Sequence, residues 1–174
     1  MLALVDELNK NLQESLFQGK EHHIARARKR GKFLARERIE LVLDKDSPFL
    51  ELLPLAGLQG KGFGAGGTGV SGIGLVQGKL CVINSNVGTR KGGSVDYATM
   101  AKSLRINDII VENKLPSINL VESGGANLPD QARCFNIGGK SFRDITNRSK
   151  MGLTTISIVF GNATAGGAYV PGMS

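Results

Sequence analysis

The sequence has few of the residues that build the commonest catalytic and metal sites. Its 174 residues include two cysteines, Cys81 and Cys134, and two histidines, the adjacent His22 and His23. The cysteines lack the CxxC spacing of a zinc ribbon or a redox pair, so we expect two packed thiols and no metal. A Ser-His-Asp or Cys-His mechanism needs a histidine beside its nucleophile, and both histidines lie in a polar helical region far along the chain from the two Gly-Gly-Ala turns.

Long apolar runs are also missing. No stretch approaches the roughly 20 residues that a membrane helix needs, and the N-terminus lacks the basic head, apolar stretch and cleavage site of a signal peptide. We therefore expect no membrane partner and a location in the cytoplasm, or in the mitochondrial matrix of a eukaryote. The composition, 41% hydrophobic and 21% charged, is typical of a globular domain with a core.

Positive charge is unevenly distributed. The net charge is +7, and residues 26–38 carry a dense basic run: Arg26, Arg28, Lys29, Arg30, Lys32, Arg36 and Arg38. Such a run is either a solvated helix face or a site for nucleic acid or for a phosphate-bearing small molecule. Nucleic-acid sites commonly add aromatic stacking residues, and this neighbourhood offers only Phe33. A nucleotide-tailed ligand is therefore the better functional prediction, and we expect no nucleic-acid partner.

Glycine is abundant, with 24 residues, and it marks two similar turns. Ser117 opens an apolar strand pattern that ends in Gly124-Gly125-Ala126, and Ser157 opens a buried strand that ends in Gly166-Gly167-Ala168. Glycines let the backbone approach a ligand, and a following helix start adds its positive dipole end. One Gly pair after a strand is usually only a tight connection. Two such units in one chain favour a shared site for an oxyanion.

Two further glycine segments have weaker patterns. Gly62, Gly64 and Gly67 satisfy G-x-G-x-x-G, but a strand rather than a helix follows them, so we reject a dinucleotide-binding fingerprint. The turn of residues 88–93 carries Arg90 and Lys91 just before a helix. It is either a surface turn or an anion contact at a helix N-terminus.

Alternating helical and extended patterns predict an α/β layered fold with a partly parallel sheet. The predicted helices are residues 2–20, a second helical region from after Gly19 to Leu43, residues 95–113 and residues 142–151, with Gly138 and Gly139 interrupting the chain before the last. The strands include a hairpin of residues 70–75 and 80–84. We divide the chain into an N-terminal helical region, residues 1–44, and a second region, residues 45–174.

Four pieces of the sequence carry a family resemblance. They are Leu34-Ala-Arg-Glu-Arg-Ile39 with Leu43-Asp44, Lys91-Gly-Gly93, Ser123-Gly-Gly-Ala-Asn-Leu-Pro129 and Thr164-Ala-Gly-Gly-Ala-Tyr-Val-Pro171. In type, order and spacing they resemble the carboxyltransferase (beta) subunit of biotin-dependent acyl-CoA carboxylases, most of all methylcrotonyl-CoA carboxylases. The resemblance covers the chain from about residue 20 to its end. It implies a crotonase-like (ClpP/crotonase) fold, with residues 45–174 as the first part of an acyl-CoA-binding domain.

The resemblance also implies an activity. A carboxyl group would pass from carboxybiotin, carried on a partner subunit or domain, to an acyl-CoA such as methylcrotonyl-CoA, propionyl-CoA or acetyl-CoA through an enolate. The implied partners are a biotin carboxylase/biotin carrier subunit and further β subunits in a homo-oligomer. Carried over by position, the amides of Gly166 and Gly167 are the oxyanion donors. The implied substrate-binding residues are Gly124, Gly125 and Ala126 at the thioester and Arg36, Arg90 and Lys91 at the CoA phosphates.

Departures from the family pattern leave alternatives open. Residues 135–144 lack the aspartate and histidine pattern of methylcrotonyl enzymes, so the acyl group is not fixed. The family continues past the position of Ser174 into a second crotonase-like domain, and we expect this chain to be a truncated N-terminal portion holding only the acyl-CoA half of the site. Three other hypotheses are a decarboxylase subunit of similar fold, a non-catalytic assembly fragment and a nucleic-acid-binding module with salt-dependent affinity.

Overall fold

The computed structural model describes residues 1–60 and 62–174; Lys61, in the glycine-rich loop, lies outside the described residues. The helices in the described part are α1 (Leu2–Ser15), α2 (Glu21–Lys29), α3 (Ala35–Val42), α4 (Tyr97–Glu112), α5 (Gln131–Lys150) and α6 (Tyr169–Gly172). The strands are β1 (Phe49–Glu51), β2 (Gly69–Val76), β3 (Lys79–Asn86), β4 (Ser117–Ser123) and β5 (Thr155–Ala163). Short 3₁₀ helices lie at Lys91–Gly93, Leu128–Asp130 and Ala165–Ala168.

The strands form one mixed sheet in the order β1-β2-β3-β4-β5. β1, β2 and β3 are antiparallel neighbours, whereas β3, β4 and β5 run parallel. Both the predicted hairpin and the partly parallel sheet are confirmed. At the hairpin, Gln77 and Gly78 have φ angles of 51° and 71°, the left-handed pair that matches the twist of the flanking strands. Because β4 and β5 are parallel neighbours, the segments that follow them lie together at the carboxyl end of these two strands.

Helices cover the two faces of the sheet. One buried cluster joins α3 to the strands: Ala35, Ile39, Val70, Cys81, Ile83, Val87, Ile118 and Leu120. A second cluster joins α4 to the opposite face: Val82, Ile106 and Ile110. Side chains alternate between the two faces of a strand, which is why neighbouring residues of β3 belong to different clusters. Cys81 and Cys134 are buried free thiols, so the prediction of packed cysteines is confirmed.

The prediction of one helical region from after Gly19 to Leu43 is wrong, because the structure has two helices there, α2 and α3. Gly31 has a φ of +68° and ends α2. Its N–H donates to Arg28 O (2.9 Å) and the Lys32 N–H donates to Ala27 O (3.1 Å), which is the double hydrogen bond of a glycine-terminated helix. α3 then starts anew, with the Leu34 N–H donating to Glu37 Oε2 (2.7 Å).

The predicted interruption at Gly138 and Gly139 is also wrong. Both residues lie inside α5, which is one helix from Gln131 to Lys150. A Cβ at Gly138 would stand 3.6 Å from Met100 Cε on α4, an ordinary contact, and a Cβ at Gly139 would meet nothing within 4 Å. Packing on α4 supplies the stabilisation that the two glycines do not, since tertiary contacts override a propensity deficit of about 1 kcal/mol per residue.

The final strand differs from the prediction of a buried one. Ile156, Ile158 and Val159 are 49%, 43% and 48% exposed. β5 pairs only with β4 among the described residues and stands at the edge of the sheet. α1 begins at Leu2 as predicted but ends at Ser15 rather than at residue 20, and it leaves the apolar side chains Leu4 and Leu8 exposed. In the described part of the chain, none of the helices has the length and the apolar character that a bilayer span requires.

Candidate functional site

The two glycine turns lie against each other at the end of β4 and β5. A Cβ placed on Gly125, whose φ is +83°, would stand 3.2 Å from Thr164 O and 3.5 Å from Ala165 Cβ. The Thr164 N–H donates to Ser123 O (3.1 Å), which continues the β4–β5 pairing into the turns. A Cβ on Gly167 would stand 2.9 Å from Ser123 Oγ. The expected shared site is therefore one compact backbone structure, and glycine is needed because the turns approach so closely.

The N–H groups of the turns divide into paired and free donors. The paired ones donate as follows: Gly124 to Gly92 O (3.0 Å), Gly125 to Ser123 Oγ (3.2 Å) and Gly167 to Thr164 O (2.9 Å). The N–H groups of Ala126 and Gly166 have no hydrogen-bond partner among the described residues. Each Gly-Gly-Ala turn thus contributes a free donor, and the Ala165 N–H directly before the second turn likewise has no partner among the described residues. The family resemblance implies the N–H groups of Gly166 and Gly167 as oxyanion donors, whereas the free N–H groups of the two turns in the structure are those of Gly166 and Ala126.

Both turns line a cavity of about 540 Å³ between the sheet and the helices α4 and α5. Its apolar wall includes Met100, Ile106 and Phe142. Its lining also includes polar side chains of the sheet: Asn84 Nδ2 on β3 donates to Asn119 Oδ1 on β4 (3.1 Å). The ring of Phe142 packs against Tyr169 with centroids 4.7 Å apart, and the Cβ position of Gly166 is 3.7 Å from Phe142 Cζ. The cavity therefore combines apolar walls with a pair of free backbone donors.

The basic turn of residues 88–93 packs against the first glycine turn. Gly92 O accepts the Gly124 N–H at 3.0 Å. A Cβ on Gly93 would overlap Glu122 O, so this residue, at φ +67°, must be glycine for two reasons. The contact places Lys91 beside the end of β4 although the two segments are far apart in sequence.

A second cavity, of about 590 Å³, lies where this turn meets the basic run, and we call it the basic cavity. Its basic lining residues are His23, Lys20, Arg26, Arg30, Lys32, Arg38, Arg90 and Lys91. Glu122 is the acidic residue among its described lining. The Lys and Arg side chains among these lining residues give a strongly positive potential that favours an anionic ligand.

The three predicted phosphate ligands are divided by the structure. Arg90 and Lys91 line the basic cavity, with the Arg90 guanidinium donating to Ala65 O (3.0 Å) and lying 5.5 Å from the centroid of the Phe17 ring. Burial lowers the pKa of Arg90, which still leaves it charged at neutral pH. Arg36 is elsewhere: its Nη1 donates to Glu51 Oε2 at 2.6 Å, and its Nη2 to Glu51 Oε1 at 3.0 Å.

The sequence analysis did not single out two residues of the basic cavity, Arg38 and Glu122. Arg38 is 3% exposed and donates through Nη2 to Glu122 Oε2, while its Nε and Nη1 are buried without a partner among the described residues. Glu122 also accepts from Lys32 Nζ. Burial acts to raise the pKa of Glu122, but hydrogen bonds from Lys32 and Arg38 outweigh it and hold that pKa below the usual value. The sequence feature that could have pointed to Glu122 is its position directly before the Ser-Gly-Gly segment of the first turn.

The carboxyl transferase domain model matches residues 26–174. The chain belongs to this family. Among curated proteins, this chain is 52% identical to the "Probable biotin-dependent acyl-coenzyme A carboxylase beta2 subunit" of Mycobacterium tuberculosis, over 100% of its own length and 33% of the relative. It is 47% identical to the "Probable methylcrotonoyl-CoA carboxylase beta chain, mitochondrial" of Drosophila melanogaster, over 100% of its own length and 31% of the relative.

A solved structure agrees with this assignment. The β subunit of geranyl-CoA carboxylase from P. aeruginosa matches with a TM-score of 0.87 and 41% identity, over 100% of this chain and 33% of the solved one. The prediction of a crotonase-like α/β fold is confirmed, since the structural neighbours are carboxyltransferase β subunits with that fold. The chain spans about a third of the length of the relatives that it matches. Among its described residues, no three His, Cys, Asp or Glu side chains group as metal ligands.

Proposed function

We propose that the protein carrying this chain is the carboxyltransferase component of a biotin-dependent acyl-CoA carboxylase, and that this chain supplies the acyl-CoA half of its site. One observation supports the proposal most directly: two touching glycine turns each leave one N–H unpaired, at Ala126 and Gly166, beside a largely apolar cavity. Family membership makes the reaction class specific.

The two free amides fit the charge that the reaction develops. Removing a proton from the carbon next to a thioester carbonyl places negative charge on the thioester oxygen. The N–H groups of Ala126 and Gly166 would donate to that oxygen, and losing one such donor costs about 3 kcal/mol in comparable sites. Carboxybiotin, carried by the partner, would supply the carboxyl group and the base for this proton, while the residues of this chain would hold the acyl-CoA. The role first expected for Gly167 passes to Ala126, because the Gly167 N–H closes the turn on Thr164 O.

The basic cavity fits the phosphates of CoA. Arg38 lines this cavity and adds its positive charge to the potential there. Arg90 and Lys91 lie at the same cavity, beside the first glycine turn. Arg36 is not part of this proposal, because Glu51 neutralises it.

The relatives support a choice of acyl group and of assembly partners. We take a 3-methylcrotonyl-like acyl-CoA as the first substrate to test, because a methylcrotonoyl-CoA carboxylase chain is a 47% identical relative. Propionyl-CoA and acetyl-CoA are the next choices. The partners would be a biotin carboxylase/biotin carrier subunit and further copies of the β subunit. The location would be the cytoplasm, or the mitochondrial matrix in a eukaryote.

The decisive experiment uses the full-length β subunit with its biotin-bearing partner, ATP and labelled bicarbonate. Label should enter an acyl-CoA from a panel containing 3-methylcrotonyl-, geranyl-, propionyl- and acetyl-CoA. Gly166→Pro removes the free N–H and should lower kcat about 100-fold or more. Gly166→Ala keeps that N–H, and its Cβ makes only an ordinary contact with Phe142, so it should retain most of the activity. Absence of label from every acyl-CoA would refute the proposed function.

A further inference from the structure

Glu122 is tied to two cations at the floor of the basic cavity. Its carboxylate accepts from Lys32 Nζ and from Arg38 Nη2. The side chains of Arg38 and Glu122 are 3% and 15% exposed, so this ion pair is shielded from water and from salt. A buried charge cluster of this kind is strongly destabilised when one member is removed, which makes its geometry well defined.

Two glycines make room for this carboxylate. A Cβ on Gly88 would stand 2.6 Å from Glu122 Cδ, and a Cβ on Gly161 would stand 2.7 Å from Glu122 Oε1 and 2.8 Å from Lys32 Nζ. Neither glycine has the positive φ that favours glycine for backbone reasons. Their need for glycine is therefore spatial. The segment after β3 and strand β5 are both shaped around the side chain of Glu122.

The same residue lies immediately before the first glycine turn. Its N–H donates to Asn86 Oδ1 (3.2 Å) on β3, and Ser123 and Gly124 follow it directly. On its other side, the guanidinium of Arg38 lies 4.6 Å from the centroid of the Phe160 ring on β5. β5 leads into the second glycine turn. The cluster of Lys32, Arg38 and Glu122 therefore connects the basic cavity to both strands at the points where the turns begin.

We propose that Glu122 is a positioning residue that couples the basic cavity to the two glycine turns. Resting on the proposed function, the inference assigns Glu122 two effects. It holds the ends of β4 and β5 so that the free N–H groups of Ala126 and Gly166 converge on one oxygen. It also offsets one of the two positive charges of Lys32 and Arg38, which limits how strongly the cavity attracts the phosphates of CoA.

These two effects predict opposite outcomes for Glu122→Gln in the complete enzyme. The substitution keeps the size of the side chain and removes its charge. Free of their counter-ion, Lys32 and Arg38 should bind CoA more tightly, with a Kd about threefold lower at low salt. Without these ion pairs the two glycine turns are held less precisely. Because small misplacements of donor groups slow catalysis, kcat should fall about 10- to 100-fold. A general loss of structure would weaken both properties together.

A second pair of variants separates charge from position. Gly161→Ala would push Glu122 Oε1 and Lys32 Nζ apart without altering any charge, so kcat should fall while the Kd for CoA does not decrease. Glu122→Asp keeps the charge on a shorter side chain and should recover part of the kcat that Glu122→Gln loses. The matched controls are Glu112→Gln, an exposed acid on α4, and Gly60→Ala, whose Cβ has only one neighbour, Gly57 O at 3.7 Å.

The measurements are kcat by label transfer, the Kd of free CoA by calorimetry, and oligomer size for each variant. A folded Glu122→Gln enzyme with kcat within twofold of wild type would overturn the inference, as would a parallel loss of kcat and CoA affinity. If Glu122→Gln does not assemble, Glu122→Asp and Gly161→Ala decide through kcat. An inactive wild-type enzyme would instead refute the proposed function, so the two failures are distinguishable.

Discussion

Lys102 shows how one buried side chain makes stability depend on pH. It lies on α4, is 4% exposed, and donates through Nζ to Gly69 O at 2.8 Å. Burial disfavours its ammonium form and lowers the pKa from 10.5 to about 8, with Glu51 opposing the shift and Arg36 adding to it. Between pH 8 and pH 10.5 the unfolded chain therefore binds a proton that the folded chain does not. In that window the free energy of unfolding rises with pH.

The test compares Lys102→Met with wild type in the complete protein. Relative to the variant, wild type should gain roughly 3 kcal/mol of stability from below pH 8 to above pH 10.5, since each unit of pKa difference is worth about 1.4 kcal/mol. Urea denaturation at several pH values measures this difference. Lys45→Met, at an exposed position, controls for the loss of a surface ammonium. A wild-type-minus-variant difference that stays flat across the window would contradict a buried, destabilised ammonium at Lys102.

At the level of elements, the sequence predicts periodic segments better than their ends. The hairpin and α4 form close to the predicted residues because turn residues and a helix-capping acid mark them: Asp96 Oδ1 accepts the Thr99 N–H at 2.9 Å. The break at Gly31 was missed because the basic residues around it fit a helix equally well on either side. The continuity of α5 was missed because Gly138 and Gly139 were weighed by propensity alone, without the packing of α5 on α4 that outweighs it.

A pair of glycine substitutions tests the continuity of α5. Gly139→Ala should stabilise the protein by about 0.5–1 kcal/mol, because the residue is inside the helix and a Cβ there meets nothing within 4 Å. Gly152, just past the end of α5, also has open space but a φ of +72°. Gly152→Ala should therefore destabilise the protein by about 1 kcal/mol. Thermal unfolding of both variants measures the two signs, and a loss of stability in Gly139→Ala would indicate that the helix is interrupted there.

At the scale of the whole molecule, the sequence predicts the backbone turns of the candidate site but not the arrangement of its charged side chains. The meeting of the two Gly-Gly-Ala turns could be predicted from the sequence, because parallel neighbouring strands bring similar turns together. The basic cavity was only half readable. Its cations come from residues 20–38 and from Arg90 and Lys91, and no spacing rule shows that Arg38 faces the cavity while Arg36, two residues away, pairs with Glu51. Which donors are free also required the hydrogen bonds of the folded turns.

The division of basic residues predicts a pattern of CoA affinity in the complete protein. Lys91→Gln should weaken CoA binding about 3- to 10-fold at low ionic strength, and the loss should shrink at high salt because a partly exposed charge is screened. Arg36→Gln should change CoA affinity less than twofold, since Glu51 already neutralises this guanidinium. Arg105→Gln is the control, because Arg105 forms an exposed ion pair with Glu112 on α4, away from the cavity. Calorimetric titration with CoA at two salt concentrations gives all four affinities. Equal losses for Lys91→Gln and Arg36→Gln would mean that net charge, rather than the basic cavity, attracts the ligand.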